Sequence, residues 1–307
     1  MAKMIQVTRQ AAPVREAFAA EHLAELARQS LVAEVELTPK PGLVDRRGSG
    51  SHTDLSLDLM RRSASAIAPY FADMVAASQA MPIGPVLRTE VAAIGRAAEA
   101  AMLQVTNGSN SHKGAIWILG LLVTAAGCRY DAAQPEIIAR DAGFLAQLPD
   151  RAQPQLVSHG DVVKARYGAT GARGEAYSGF PHVVRVGLPA LRAARKKGCT
   201  ETNSRLSALL NIMVRLDDTC VLYRGGAEAL TAVQSGAADV LIAGEPGSIA
   251  GDQAMRRLDE DLFLRHVSPG GSADLLAATL FLDALERNQH TVEEDDSLSE
   301  ENNYGAN

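Results

Sequence analysis

The stretch Ala115 to Ala126, AIWILGLLVTAA, constrains this chain more than any other. It is the longest apolar run, broken only by Gly120 and Thr124. A bilayer span needs roughly 20 such residues, so this run is too short to cross one and reads as a buried helix. Its surroundings repeat apolar residues at helical spacing. Phe18 to Leu37 steps Phe18, His22, Leu26 and Leu31 along one side. Thr53 is placed to cap a helix carrying Leu55, Leu59, Ala66 and Tyr70. Val91 to Val105, Leu188 to Lys197, Ser204 to Leu216 and Ala273 to Glu286 read as helices too. Val240-Leu241-Ile242 fits strand or helix. Aromatics are scarce at 4%, and alanine and leucine dominate the 47% of hydrophobic residues, which favours helix over sheet. No strand–glycine loop–helix unit repeats, so a doubly wound α/β fold is disfavoured. The 307 residues allow one large domain or two small ones, and no linker interrupts them before residue 290. The expected fold is all-α: one helical domain over residues 1–290, with glycine-rich functional loops at helix ends.

Charge and cysteine content exclude several classes. Residues 291–307 hold Glu293, Glu294, Asp295, Asp296, Glu300 and Glu301 and no basic residue. Such a tail buries no apolar surface and is expected to be disordered. Without those six acids the 36 Asp+Glu become 30, matching the 30 Lys+Arg, so the body is formally neutral and gives no argument for nucleic acid. Cys128, Cys199 and Cys220 lie far apart with no CxxC pair, which argues against a cysteine zinc site and suits a reducing cytosol. Met1 to Pro13 has no apolar signal-peptide core. The expectation is a cytoplasmic protein with no membrane partner.

Polar loops separate the helices, and loops at helix ends are where sites assemble. In Glu34 to Asp45 two prolines stiffen a segment bearing Glu34, Lys40 and Asp45, which is either a site or a surface turn. Gly48 to Asp54 runs into a helix, and Asp54 and Asp58, four apart, are expected on one helix face. They suit Mg2+ binding beside phosphate, or a helix dipole that favours acids. Thr106 to Gly114 brings Asn110, His112 and Lys113 to the start of the apolar helix, where backbone N–H groups suit a polyphosphate. It lacks P-loop spacing. Ser158 to Pro181 carries His159, Arg173 and Glu175. Asp217-Asp218-Thr219-Cys220 precedes Arg224-Gly225-Gly226. Adjacent acids diverge on a helix, so at most one of the pair points into a site. Ser268 to Leu276 is a glycine turn with Ser272 as the expected N-cap and Asp274 as a ligand or a surface acid.

Together these motifs resemble the triphosphoribosyl-dephospho-CoA synthase family found with citrate lyase and malonate decarboxylase. The matching stretches are Glu34 to Asp45, His52 to Asp58, Asn110 to Gly120, Ser158 to Gly160, Gly171 to Pro181, Asp217 to Gly226 and Ser268 to Leu282. They run in the family's order and cover most of residues 30–285. Ser109 to Leu122, with Trp117, looks closer to the malonate decarboxylase branch. Two departures stand out: the usual threonine is Ser111, which keeps a hydroxyl, and the asparagine expected after Asp-Thr is Cys220.

The resemblance implies an all-α enzyme that joins ATP to 3′-dephospho-CoA and releases adenine. The product then passes to a separate transferase and on to a serine of an acyl carrier subunit. A homo-oligomer is compatible with this reading. The expected chemistry is displacement at the anomeric carbon of ATP's ribose through an oxocarbenium-like transition state. Glu34 and Glu175 are the candidates to accept the hydroxyl proton or stabilise the cation, and His112 and His159 to assist departing adenine. Asp45, Asp54, Asp58, Asp218 and Asp274 are candidates for Mg2+. Lys40, Lys113, Arg173 and Arg224 are candidates for phosphate, with Asn110 and Ser272 in the substrate site. Two other classes stay open: a Mg2+-dependent N-glycosidic hydrolase of nucleotides, and a non-catalytic assembly factor for a decarboxylase.

Overall fold

The computed structural model describes residues 12–129, 134–152 and 158–304, with side chains described over 17–129, 134–152 and 158–288. The described residues form α-helices, one π-helical turn and no strand. The first five helices are α1 (Ala12–Glu36), α2 (Leu57–Ala80), α3 (Pro85–Val105), α4 (Lys113–Gly127) and α5 (Pro135–Gln147). Then follow α6 (His159–Tyr167), α7 (Gly171–Tyr177), the π turn Val183–Gly187, α8 (Leu188–Lys196), α9 (Glu201–Arg215), α10 (Thr219–Ile242), α11 (Ile249–Leu264) and α12 (Gly270–Tyr304).

Helix α4 is the apolar run, and it is buried on every side from Ile118 to Gly127. A helix with no polar face must be wrapped by others. Helices α1, α2, α3, α5 and α12 do so. Their contributions include Leu23 and Leu31 of α1, Ile67 and Phe71 of α2, Met102 of α3 and Phe281 of α12. Each such side chain, fully buried, contributes roughly 1.5–3 kcal/mol. A second core joins α8 to α11 through Leu191, Leu209, Met213, Val221, Val233 and Leu258. Helix α12 serves both. Leu275, Ala278, Phe281 and Leu282 face the first core, while Leu276 and Leu280 face the second. The two cores share this wall, so the helices form one body.

Several local expectations are corrected. Thr53 does not cap α2. Ser56 does, accepting from the Leu59 N–H at 3.3 Å, and the helix starts at Leu57. Asp54 therefore stays in the loop and shares no helix face with Asp58. Ser272 is not an N-cap, because α12 already starts at Gly270 and the Ala273 N–H reaches back to the Pro269 carbonyl. The loop expected at Ser158 to Pro181 contains α6, closed by a Ser158–Asp161 capping box, and α7. The loop expected from Asp217 to Gly226 is the start of α10, because Asp218 caps it. Val240-Leu241-Ile242 is the end of that helix. Helix α10 kinks at Gly226, whose φ of 70° suits glycine, having no Cβ. The acidic tail expected at 291–307 lies outside the residues whose side chains are described.

A candidate active-site cleft where helix starts converge

The N-terminal ends of α4, α10 and α12 meet at one place. Asp218 staples two of them. Its carboxylate caps α10 by accepting from the Cys220 N–H at 2.9 Å and the Val221 N–H at 3.4 Å. It also accepts from the start of α12: the Gly271 N–H at 3.2 Å, the Ser272 N–H at 2.8 Å and the Ser272 hydroxyl at 3.0 Å. Asp274, one turn along, lies against α4 so closely that a Cβ on Gly114 would stand 2.0 Å from its Oδ2. The start of α7 completes the surround. Gly171 abuts the Thr219 side chain, and Trp117 of α4 donates through Nε1 to the Ala172 carbonyl at 3.2 Å. A long helix presents roughly half a positive charge at its N-terminus, so three converging starts favour anions.

The carboxylates here differ in how free they are. Asp218 is buried with every lone-pair direction engaged, which makes it a structural fastener. Burial raises its carboxyl above the usual range, while the Ser272, Cys220 and Gly271 donors pull it back. Asp274 is raised further, by burial first, then by the charges of Glu34 and Asp218, against the Ala115 N–H. Asp274 is partly exposed and Cys220 exposed, yet burial dominates the electrostatics of both. Groups that touch solvent while enclosed by protein line a concave surface. Asp218 and Asp274 also help push the Cys220 thiol up.

Glu34, at the end of α1, is buried and ion-paired with the buried Lys40 ammonium. The loop bearing Lys40 is fixed by Asp45. That carboxylate accepts from the Lys40 N–H at 2.9 Å and the Arg47 N–H at 2.7 Å, and is ion-paired with the Arg47 guanidinium at 2.7 Å. His112 lies behind this pair. Its Nδ1 shares a hydrogen bond with the Ser63 hydroxyl at 2.8 Å, and Ser63 bonds Ser111 at 2.7 Å. Its Nε2 is enclosed without a partner. Burial, with the Lys40 charge, drives the His112 pKa down to about 3, so the ring is neutral at physiological pH. At the rim, His52 bonds the Ser268 hydroxyl at 2.9 Å and meets Arg224 at 3.4 Å.

The remaining sequence candidates are each engaged by partners of their own. Glu175 is buried but occupied: Oε1 accepts from the His182 N–H at 2.7 Å, and Oε2 pairs with His182 Nδ1 at 2.8 Å. Exposed His159 stacks on Tyr223, with ring centroids 4.0 Å apart. Asn110 accepts from the Lys113 N–H at 3.1 Å, and Lys113 pairs with Glu99 at 3.0 Å. Arg173 reaches Asp161 at 3.4 Å. Asp54 lies 3.6 Å from His52, and Asp58, largely exposed, pairs with Arg62 at 3.0 Å. Sequence reasoning missed Ser63, His182 and Tyr223. Ser63 had a signal: it sits at helical spacing with Met60 and Ile67, a hydroxyl on a core-facing stripe.

Among the described residues no three of His, Cys, Asp and Glu gather closely enough to hold a metal by themselves. Mg2+ does not require that. It is usually held by one or two carboxylates plus substrate phosphates, and the oxygen donors of Asp274 and Glu34 fit that pattern.

Residues 20–292 match the family model described as ATP:dephospho-CoA triphosphoribosyl transferase. A relative from Azotobacter vinelandii, called a probable 2-(5''-triphosphoribosyl)-3'-dephosphocoenzyme-A synthase, is 52% identical over 87% of this chain and 92% of its own length. One of the same name from Pseudomonas savastanoi pv. phaseolicola is 50% identical over 92% of this chain and 96% of its own. No solved structure matches. With a family model spanning nearly the whole helical body and relatives at half identity across it, this chain belongs to the ATP:dephospho-CoA triphosphoribosyl transferase family.

Proposed function

We propose that the cleft where α4, α10 and α12 begin is the site at which this transferase joins ATP to 3′-dephospho-CoA. The observation that carries this is the convergence itself: Asp218 joins the starts of α10 and α12, and Asp274 lies against the start of α4, beside the Glu34–Lys40 pair. A ribose hydroxyl of dephospho-CoA attacks C1′ of ATP's ribose, and the bond from C1′ to the adenine nitrogen breaks. The hydroxyl proton is lost and adenine gains one, so the products are the triphosphoribosyl adduct and neutral adenine. Asp274 has a solvent-facing edge and a raised affinity for protons, which suits it to take the hydroxyl proton. Glu34, held by Lys40, supplies negative charge beside the sugar as it becomes cationic. The helix starts and Lys113 receive phosphate oxygens. Mg2+ bound with the triphosphate would take Glu34 as its protein oxygen donor and would offset phosphate charge, leaving Asp274 free for the proton. Neutral His112 orients through the Ser63–Ser111 pair rather than acting as a charged acid.

The setting fits the cytoplasm: the three cysteines are free, and no helix among the described residues is long and apolar enough to cross a membrane. A separate transferase and an acyl carrier subunit would take the product onward. Trp117 and its flanks favour the malonate decarboxylase carrier. Mass spectrometry of a reaction with ATP, dephospho-CoA and Mg2+ tests the reading. It requires one product bearing the triphosphoribosyl group on intact dephospho-CoA, and loss of turnover on chelation. Free ribose triphosphate as the sole new phosphate species would overturn it.

A further inference from the structure

Arg88 plays no part in the cleft described above, yet it is the least provided-for cation in the described structure. It lies in the first turn of α3 and is 6% exposed. Its guanidinium lies 5.0 Å from the centre of the Trp117 ring. Among the described residues it forms no ion pair, and its Nε is enclosed with no hydrogen-bond partner. The terminal nitrogens also lack protein partners but are not enclosed, so the fork faces outward from a buried stem. A buried guanidinium ordinarily finds a carboxylate, because an unpaired buried charge is strongly unfavourable.

The neighbourhood deepens the imbalance. Burial is the first influence on Arg88, lowering its pKa; Asp150 and Tyr177 act the other way, and Arg96 and Arg173 add to the lowering. Asp150 is already taken by Arg96 at 2.7 Å. Arg173 has only a long contact to Asp161. Three arginines thus share two carboxylates, and the one with no partner is the buried one. The place is close to the cleft. Trp117 follows Gly114 by three residues, which is about 4.5 Å along the helix axis. Gly114 is the residue that Asp274 touches. Trp117 also donates to Ala172, the residue before Arg173.

We propose that Arg88, backed by Trp117 and flanked by Arg173, forms an anion subsite that receives the polyphosphate of a nucleotide substrate. A planar guanidinium with free terminal nitrogens matches two phosphate oxygens at once. The subsite extends the anion-attracting path from the start of α4 by one helical turn. Both substrates carry phosphate chains, and this assignment rests on the transferase reading of the cleft.

The chain has one tryptophan, so its intrinsic fluorescence reports on this site directly. Inorganic triphosphate titrated into the full-length protein should change Trp117 emission saturably. Arg88→Gln should weaken that response about tenfold or more, the scale of a lost charge-assisted contact. Arg88→Lys should recover part of it. Arg173→Gln, at an exposed position, gives a second variant whose folding is safe, and should also weaken the response. Steady-state kinetics then distinguish the sources: a raised KM for ATP alone places the triphosphate here, and a raised KM for dephospho-CoA alone places its diphosphate here. An unchanged midpoint in both Gln variants, with both KM values unchanged, overturns the subsite. That result leaves the transferase reading standing when adenine release still depends on the acceptor. Loss of that dependence in the unaltered protein is a failure of the transferase reading instead.

Discussion

Replacing Gly114 with alanine separates the stability of this protein from its chemistry. The new methyl would stand 2.0 Å from Asp274 Oδ2 and 3.1 Å from its Cγ. Non-bonded heavy atoms settle at about 3.5–4 Å, so the carboxylate must retreat by roughly 1.5 Å. Two effects on stability oppose each other. Alanine favours a helix over glycine by roughly 0.5–1 kcal/mol. Forcing Asp274 off its preferred rotamer costs about 0.5–1.5 kcal/mol. The fold should therefore change by no more than about 1 kcal/mol, which shifts a melting midpoint of a chain this size by only a few degrees. Turnover has no such compensation. A misplacement of about 1 Å in a positioned group can slow a reaction on the order of 100-fold. Gly114→Ala should thus keep its melting midpoint and lose about two orders of magnitude in kcat. Calorimetry and an adenine-release assay on one preparation measure both. Full kcat in a normally folded variant would remove Asp274 from the reaction.

Two further predictions concern buried charge. Burial and the charges of Glu34 and Asp218 raise the Asp274 carboxyl, so above about pH 4 the folded state binds more protons than the unfolded chain. Stability of the ligand-free protein should fall as pH rises through that window, and Asp274→Asn should flatten the slope and raise the melting temperature at pH 7 while abolishing turnover; a lower melting temperature there would contradict the assignment. The Glu175 hydrogen bond raises the His182 pKa, so that pair stabilises fully below about pH 6.5 and loses its contribution as pH rises through the raised value. Glu175→Gln should cost roughly 1–2 kcal/mol in denaturant melts at pH 5.5 and clearly less at pH 8.5; an equal loss at both would show that the pair is not what Glu175 provides.

The sequence made the centre of the fold legible because an uncharged apolar run has one physical outcome, enclosure by other helices. It also identified the loops that meet, since Lys40, His112, Asp218 and Asp274 all reach one region. Individual roles were hidden because a carboxylate's availability depends on donors far away in the chain. Asp218 looked like a metal candidate, but Ser272 and Gly271 occupy it. Glu175 looked like a free base, but His182 holds both its oxygens. Asp54 and Asp58 looked paired because Thr53 and Ser56 are both good caps, and only the start of α2 at Leu57 decides between them. At most one of Asp217 and Asp218 is expected to point into a site; Asp217 is exposed, and Asp218 is buried as the cap of α10.

The most direct test of the central claim is the rate of adenine release from ATP and Mg2+, followed by chromatography with and without 3′-dephospho-CoA. A cleft that holds the acceptor hydroxyl against C1′ gains a large proximity advantage over water, so adenine should appear only when the acceptor is present, in equal amount to the joined product. Equal adenine release in both tubes would show a nucleotide hydrolase and contradict the account.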